Sequence, residues 1–286
     1  MAFEKLISET TADGVLVLTL SDPETLNALG EPLMSELTSE VERLERDPDL
    51  RALVITGAGR AFSTGANVRG FARDIEERRA EPARGADVPD AWERLDPVYT
   101  ARETRNFSEA PEPRIVRKLH TLRKPSFAAV NGHAYGLGCG VALACDFRVA
   151  AESARFVEAF VRYGVTPADG SAWKLPKLVG MANTLWMQYS GDPVTGAEAY
   201  RIGLANWLVP DDQLMEKALE LATRLARGPV YAMGMTKQLV QQGYQQDFSE
   251  HLPLAARAFA MTRETFDHQE GVQAFIEKRQ PSFRGY

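Results

Sequence analysis

The stretch NGHAYGLGCGVALACDF, residues 131–147, places glycines at positions 132, 136, 138 and 140 directly before an apolar run. It constrains the fold strongly, because glycine lets a backbone turn sharply and lets a second segment approach closely. A β-rich segment precedes the glycines and an apolar helix follows them, which predicts a strand-to-helix junction. Amides at such a junction point outward beside the positive end of the helix dipole, so the junction suits an anion or a developing negative charge.

Two common phosphate sites are excluded at GLGCG. No Gly-Lys-Ser/Thr follows, so it is not a P-loop, and G-x-G-x-G lacks the spacing of the dinucleotide fingerprint. On spacing alone, two interpretations stay open: an oxyanion site, or a plain tight contact between helix and strand.

A second glycine-bearing stretch, ITGAGRAFSTGANVRGF at residues 55–71, also follows an apolar strand and offers small residues. Two loops of this kind can supply two backbone N–H groups to a single oxygen. That geometry polarises a carbonyl and suits thioester chemistry.

Strands and helices alternate in the first two thirds of the chain. GVLVLTL (14–20), RALVITG (51–57) and KPSFAAVNG (124–132) are short apolar strands. PLMSELTSEVERLERD, residues 32–47, puts its leucines and valine on one helical face. The alternation predicts an α/β core.

The remaining segments differ from this pattern. From about residue 197 onward the chain is predicted to be all-helical, with a capped helix in DDQLMEKALELATRLARG, residues 211–228. Residues 71–114 are highly charged and contain five prolines. They predict either a solvated surface insertion or a functional cover, and we expect residues 72–113 to form a mobile cover over the acyl end of a pocket.

Composition excludes several classes of function. The 286 residues carry a net charge of -6, so nucleic acid is not an expected partner. No apolar run is long enough to span a membrane, and no signal peptide is recognisable. The two cysteines, Cys139 and Cys145, fit neither a disulfide framework nor a zinc site, so we expect buried thiols and a cytoplasmic location.

The two glycine stretches, extended to ITGAGRAFSTGANVRGF and KPSFAAVNGHAYGLGCGVALACDFRVAAESARF, resemble the signature blocks of the crotonase (enoyl-CoA hydratase/isomerase) superfamily. The ending EGVQAFIEKRQPSFRGY is similar to the usual end of that family. The resemblance covers nearly the whole chain in the same order, and together these long blocks are specific.

The resemblance implies a crotonase-like spiral of ββα units and an acyl-CoA substrate. Residues 1–196 would form the acyl-CoA-binding core, with the charged insertion at 72–113. Residues 197–286 would form a helical oligomerisation region of a homotrimer or a dimer of trimers. No metal or redox cofactor is expected, because the sequence shows no cluster of ligand residues, and the CoA thioester is the substrate.

The resemblance also assigns site residues. The oxyanion donors map to the backbone N–H groups of Ala66 and Leu137. Lys278 would reach the phosphates of CoA bound to a neighbouring subunit. The substrate-binding residues would be Thr64, Asn67, Val68, Gly136, Gly138, Glu158, Phe160 and Lys278.

The chain departs from the family at both catalytic glutamates. The position of the first is Gly140 and that of the second is Phe160. A positioned acid or base contributes about 100- to 10,000-fold, so an enzyme that lacks both is expected to be a poor hydratase unless other residues replace them.

Asp169 is the first candidate for replacement, in the turn GVTPADGSAW. Several family isomerases have an aspartate one residue earlier, where this chain has Ala168. The alternative for Asp169 is a turn or helix-capping role. Glu158 is the second candidate, since in an extended segment it shares a face with position 160, and its alternative is a surface or salt-bridge role.

Three functions therefore remain open from the sequence. The first is enolate chemistry with isomerisation through Asp169. The second is hydration with displaced acid and base residues. The third is acyl-CoA binding without catalysis.

Overall fold

A computed structural model of the chain describes residues 3–66, 76 and 111–286. Its larger sheet has six strands in the order β1-β2-β3-β5-β7-β10. β1 runs antiparallel to β2, and the other neighbours are parallel. These strands are Leu6–Thr10 (β1), Val15–Leu20 (β2), Ala52–Gly57 (β3), Ser126–Val130 (β5), Phe147–Ala151 (β7) and Trp207–Val209 (β10).

A smaller sheet has four short strands in the order β4-β6-β8-β9. β4, β6 and β8 are parallel, and β9 is antiparallel to β8. The strands are Ala61–Ser63 (β4), His133–Tyr135 (β6), Arg155–Val157 (β8) and Val194–Thr195 (β9). β4 and β6 directly precede the two glycine-bearing loops.

Nine helices occupy the described part of the chain, together with short 3₁₀ turns. The helices are Leu33–Arg46 (α1), Pro111–Thr121 (α2), Leu137–Ala144 (α3), Ser171–Ser190 (α4, kinked at Gly180), Gly196–Arg201 (α5), Leu214–Ala226 (α6), Val230–Gly243 (α7), Phe248–Arg263 (α8) and Phe266–Glu277 (α9).

The central strands of the large sheet are buried on both faces, which explains why they are continuously apolar rather than alternating. One face packs against α1 through Leu33, Leu37 and Val41, in the core that also contains α3. The other face packs against α6 through its buried leucine and alanines. The predicted α/β core is therefore confirmed, and its two layers of helices position α3.

Every residue of α3 is buried, because its sequence is apolar all round. Cys139 and Cys145 lie in and beside it as buried free thiols, which confirms the prediction of small core residues. None of the helices in residues 3–66, 76 and 111–286 is long and apolar enough to cross a membrane.

The prediction of an all-helical chain from residue 197 onward is wrong. Trp207–Val209 forms β10 and pairs in parallel with β7, at the edge of the large sheet. A strand of three residues between two helices leaves too short an apolar pattern to recognise. After β10 the chain forms helices α6 to α9 without a further strand, and the first of them, α6, belongs to the core.

Candidate active site

The loop after β4 lies against the start of α3. Gly65 has φ +84°, and a Cβ built there would lie 2.4 Å from the Tyr135 carbonyl oxygen and 3.0 Å from the Leu137 nitrogen. No side chain fits in that space, so the close approach requires glycine. Leu29 holds the loop from the other side, since its N–H donates to the Gly65 carbonyl at 2.7 Å and it bridges to Ala66.

Helix α3 begins directly at this contact. Gly136 precedes it with φ 49° and donates its N–H to the Val157 carbonyl at 2.8 Å. The Gly140 N–H donates to the Gly136 carbonyl at 3.0 Å. It is the fourth amide of the helix and the first with a partner within the helical turn. The earlier N–H groups, beginning with Leu137, are the orphan donors of a helix N-terminus and suit a negatively charged oxygen.

Gly138 brings α3 close to β4. A Cβ at this position would lie 2.4 Å from the Ser63 carbonyl oxygen, so the helix packs directly on the strand backbone. The two interpretations of the glycine stretch, an oxyanion site and a tight contact between helix and strand, are therefore compatible. The tight contacts at Gly138 and Gly65 place the amides of Ala66 and Leu137 in neighbouring segments.

Asp169 occupies the space over Gly140. A Cβ built at Gly140 would lie 2.2 Å from Asp169 Oδ2 and 2.7 Å from its Cγ. The aspartate is almost fully buried, with 3% of its surface exposed. Its Oδ1 accepts the Ser171 N–H at 3.0 Å. The turn role that is the alternative to a catalytic role for Asp169 is therefore present as well. The carboxyl thus both caps the start of α4 and presents its second oxygen toward α3.

Glu158 is the second buried carboxyl of the cluster. Its Oε2 accepts the Ser171 hydroxyl at 2.7 Å, so Ser171 contacts both carboxyls. Within the described part of the chain, Glu158 Oε1 and Asp169 Oδ2 are buried without a hydrogen-bond partner. Because buried polar atoms are normally satisfied, each unpaired oxygen is available to a substrate proton or a water.

Burial changes the acidity of both groups. Burial, followed by the negative charge of Asp169, raises the pKa of Glu158 from 4.5 to about 8, although the Ser171 hydroxyl opposes the shift. Burial also raises the pKa of Asp169, against the hydrogen bonds from Ser171. A carboxyl pair that holds a proton near neutral pH can act as both general acid and general base.

We expect Glu158→Gln to remove a pH-dependent cost of folding. The folded protein binds the Glu158 proton more tightly than the unfolded chain does. The bound proton therefore stabilises wild type at low pH, and this part of the unfolding free energy is lost as the pH rises from 4.5 to about 8. Glutamine cannot ionise and still accepts from Ser171. The unfolding free energy of the variant, relative to that of wild type, should therefore increase by on the order of 3 kcal/mol as the pH rises from 5 to 9.

Thermal unfolding at pH 5, 7 and 9 measures this change. Glu216→Gln on the exposed side of α6 is the matched control, because it removes a carboxyl without a buried partner. A constant difference between Glu158→Gln and wild type at all three pH values contradicts the assignment.

A cavity of about 260 Å³ opens beside Asp169. It lies between α2, α3 and the start of α4, and Gly140 forms part of its wall. Its other lining residues include Val116, His120, Leu143, Ala144, Trp173 and Lys174. Its size and walls suit an acyl chain that passes the carboxyl pair.

The comparisons with known proteins decide the family. The chain matches the enoyl-CoA hydratase/isomerase family over residues 10–100 and 85–286. The chain belongs to the enoyl-CoA hydratase/isomerase family. The predicted crotonase-like fold and acyl-CoA enzyme class are thereby confirmed.

Relatives of this family are similar along nearly their whole length. The chain is 33% identical to the 1,2-epoxyphenylacetyl-CoA isomerase of Escherichia coli K12 over 272 residues, which cover 95% of each chain. It is 32% identical to the crotonyl-CoA hydratase of Syntrophomonas wolfei, with 99% of each chain covered. The solved enoyl-CoA hydratase of Bacillus anthracis superposes with a TM-score of 0.82 at 28% identity, covering 99% of this chain and 100% of that one.

The structure gathers some of the family-derived site residues and leaves others apart. Thr64 lies in the β4 loop, where its hydroxyl donates to the Thr25 carbonyl at 3.0 Å. Phe160 Cζ lies 4.0 Å from a Cβ built at Gly136, so the ring covers the start of α3. Asn67 and Val68 fall outside the described residues, as does almost all of the predicted cover at 72–113.

One expectation is wrong in the structure, and another stays a prediction. Glu158 does not share an extended face with Phe160, because β8 ends at Val157 and a 3₁₀ turn begins at Ala159. This turn separates the two side chains and leaves Glu158 buried against Ser171. Lys278 lies exposed at the end of α9 with φ 56°, and its contact with a neighbouring subunit stays a prediction.

The sequence interpretation missed Ser171 and Gln188. Ser171 is buried, and Gln188 Nε2 donates to its hydroxyl at 3.4 Å. The order Asp-Gly-Ser at 169–171 is a recognisable signal, because an aspartate side chain often accepts the N–H two residues later. No comparable signal identifies Gln188, which reaches the cluster only through the fold of α4.

Proposed function

We propose that this member of the family isomerises enoyl-CoA thioesters. The N–H groups of Ala66 and Leu137 bind the thioester oxygen, and Asp169 moves a proton between two carbons of the acyl chain. The position of the Asp169 carboxyl over Gly140 is the observation that carries this proposal. It supplies a buried base at the place where the family pattern has its first glutamate.

The distance along α3 fits the positions of the moving proton. Leu137 and Gly140 are three residues apart, which is about 4.5 Å along a helix axis. An extended acyl chain advances about 1.3 Å for each carbon–carbon bond of roughly 1.5 Å. A chain that runs from the oxyanion donors along α3 covers this distance in about three and a half bonds, so its fourth carbon lies nearly level with Gly140. Its second carbon lies two bonds, or about 2.6 Å, further back, and we propose that the Asp169 carboxyl reaches both.

The proposed reaction balances with one carboxylate. Asp169 takes a proton from the second carbon of a 3-enoyl-CoA, and the electron pair delocalises into an enolate whose charge rests on the thioester oxygen. Asp169 then returns the proton to the fourth carbon, so the double bond ends between the second and third carbons. Donors that stabilise such an oxyanion contribute about 100- to 1,000-fold each.

Hydration is the second candidate, and the unpaired oxygen of Glu158 supports it. Two carboxyls can flank a water and serve as acid and base. Ser171 binds both carboxyls, however, through its N–H and its hydroxyl, and both carboxyls are buried. This arrangement favours a shared proton over a water held between opposed groups.

Product analysis tests the proposal. Purified protein is incubated with a 3-enoyl-CoA, and proton NMR follows the vinyl signals. A 2-enoyl-CoA without a 3-hydroxyacyl-CoA is the expected product. Rapid formation of the 3-hydroxyacyl-CoA from the 2-enoyl-CoA supports hydration instead, and binding of both thioesters without any product supports the non-catalytic reading.

We also propose that the chain assembles as a trimer or a dimer of trimers. In the single chain, helices α8 and α9 leave large apolar side chains exposed, among them Phe248 (77%), Phe259 (65%) and Phe275 (85%). A surface of this kind is typical of an interface between subunits. Multi-angle light scattering at micromolar concentration should give three or six times the 31.6 kDa chain mass, and a monomer contradicts the proposal.

A further inference from the structure

A second, larger cavity of about 620 Å³ adjoins the one beside Asp169. The two share His120, Trp173 and Lys174 in their walls. Among the described residues, the larger cavity is lined by five lysine and arginine side chains and by one carboxylate, that of Asp146. The cations are Arg123, Lys124, Lys174, Lys177 and Lys237. A ligand that passes Asp169 therefore approaches a strongly positive region.

Lys174 stands at the junction of the two cavities. Its Nζ lies 3.4 Å from the carbonyl oxygens of Ala144 and Cys145, at the end of α3. Within the described part of the chain, no carboxylate oxygen lies within 4.0 Å of it. Burial, then the cation of Arg148, lowers its pKa to about 8. Lys174 is half-buried, and an ammonium in such a place with two long hydrogen bonds and no ion-pair partner is incompletely compensated.

Asp146 attracts the Lys174 ammonium and opposes the fall in its pKa, but it does not form an ion pair with it. Asp146 is paired with Lys237 at 2.7 Å, and Lys177 lies over the Trp173 ring. Burial, and then the nearby lysines Lys174 and Lys237, lowers the pKa of His120 to about 4, so this imidazole stays neutral near pH 7. The junction thus has an excess of positive charge that an anionic ligand group offsets.

The length of α3 sets the distance from the reacting end to this charge. Leu137 and Ala144 are seven residues apart, which is about 10.5 Å along the helix axis. An extended carbon chain covers that distance in about eight bonds, at about 1.3 Å for each bond of roughly 1.5 Å. A carboxylate stops one hydrogen-bond length short of the Lys174 ammonium, so a carboxyl carbon about seven or eight bonds from the thioester carbon suits this distance.

We propose that the acyl group of the substrate ends in a carboxylate about eight carbons from the thioester, and that Lys174 binds this carboxylate. The proposal rests on the function proposed above, because it places the thioester at Ala66 and Leu137. It names the substrate class: CoA monothioesters of medium-length dicarboxylic acids. In a competing role, Lys174 only caps the C-terminus of α3, and the acyl end is then a methyl group.

Matched ligands separate these roles. Isothermal titration calorimetry compares octanoyl-CoA with the CoA monothioester of octanedioic acid, which differs only at its far end. Wild type should bind the dicarboxylic thioester at least about tenfold more tightly. The six- and ten-carbon dicarboxylic thioesters should bind more weakly than the eight-carbon one.

Substitution at the junction provides the second arm. Lys174→Met should reduce the ratio of the two affinities to about one, and Lys174→Arg should keep most of it. Lys217→Met is the control, since Lys217 pairs with Glu220 on the exposed side of α6. Octanoyl-CoA binding by Lys174→Met shows that the variant is folded. If Lys174→Met loses octanoyl-CoA binding as well, the test uses wild type and Lys174→Arg. A preference of both for the dicarboxylic thioester then supports the carboxylate site, and equal affinities contradict it.

Equal affinity of wild type for the two thioesters overturns the inference, as does an unchanged ratio in Lys174→Met. The proposed function fails separately, when a neutral 3-enoyl-CoA binds but is not isomerised. Turnover of that neutral substrate together with equal affinities leaves the function in place and removes only the carboxylate site.

Discussion

Replacing Asp169 with asparagine should lower the turnover of a 3-enoyl-CoA by at least about 100-fold, while acyl-CoA binding survives. The reason is that the variant keeps an oxygen for the Ser171 N–H but loses the group that carries the proton. A positioned acid or base contributes about 100- to 10,000-fold, and the three atoms nearest a Cβ built at Gly140 all belong to Asp169.

Steady-state turnover and calorimetric binding of a saturated acyl-CoA measure the two effects separately. Asp211→Asn is the matched control, because Asp211 also accepts a serine N–H at 3.0 Å, from Ser153, on a loop that precedes α6. It should leave turnover within about twofold. Turnover that persists in Asp169→Asn would transfer the role to Glu158, or to neither carboxyl.

The glycine-bearing loops could be predicted from sequence because their chemistry is local. A strand that ends in glycines before an apolar helix has few ways to fold, and the junction at Gly136 before α3 follows from that pattern. The same holds for Asp169, which a turn of fixed length brings to the start of α4. The residues that the sequence identifies lie close along the chain to the turn or helix end in which they act.

The remaining parts of the site depend on contacts between distant segments. The orientation of Glu158 depends on a 3₁₀ turn that replaces the expected extended segment. Gln188 reaches Ser171 from seventeen residues along α4. Strand β10 is too short for a recognisable period and is defined by its pairing with β7. No pattern within a sequence window contains these relations, because tertiary packing determines them.

The absence of a side chain at position 140 is itself part of the proposed mechanism. The family pattern places a glutamate here, and this chain places a distant aspartate in the same volume. Glycine is required for that exchange, since a Cβ would lie 2.2 Å from Asp169 Oδ2 and 2.8 Å from its Cβ. Such distances are far inside van der Waals contact, so the aspartate must move if position 140 gains even one carbon.

Gly140→Ala should therefore lower turnover by at least about 100-fold, on the same scale as Asp169→Asn, because it displaces the carboxyl instead of removing it. Gly271→Ala on α9 is the control, since a Cβ there meets the Phe283 ring at an ordinary 3.5 Å. Binding of an acyl-CoA with a saturated acyl chain confirms that each variant is folded.

The double variant Gly140→Ala/Asp169→Asn distinguishes displacement from general damage. Two changes that disable the same group are not additive, so the double variant should turn over substrate no more than about threefold more slowly than Asp169→Asn alone. A multiplicative loss means that Gly140 serves the site in another way. Turnover of Gly140→Ala close to wild type would show that the carboxyl over position 140 does not carry the proton, and the isomerase mechanism proposed here would then need a different base.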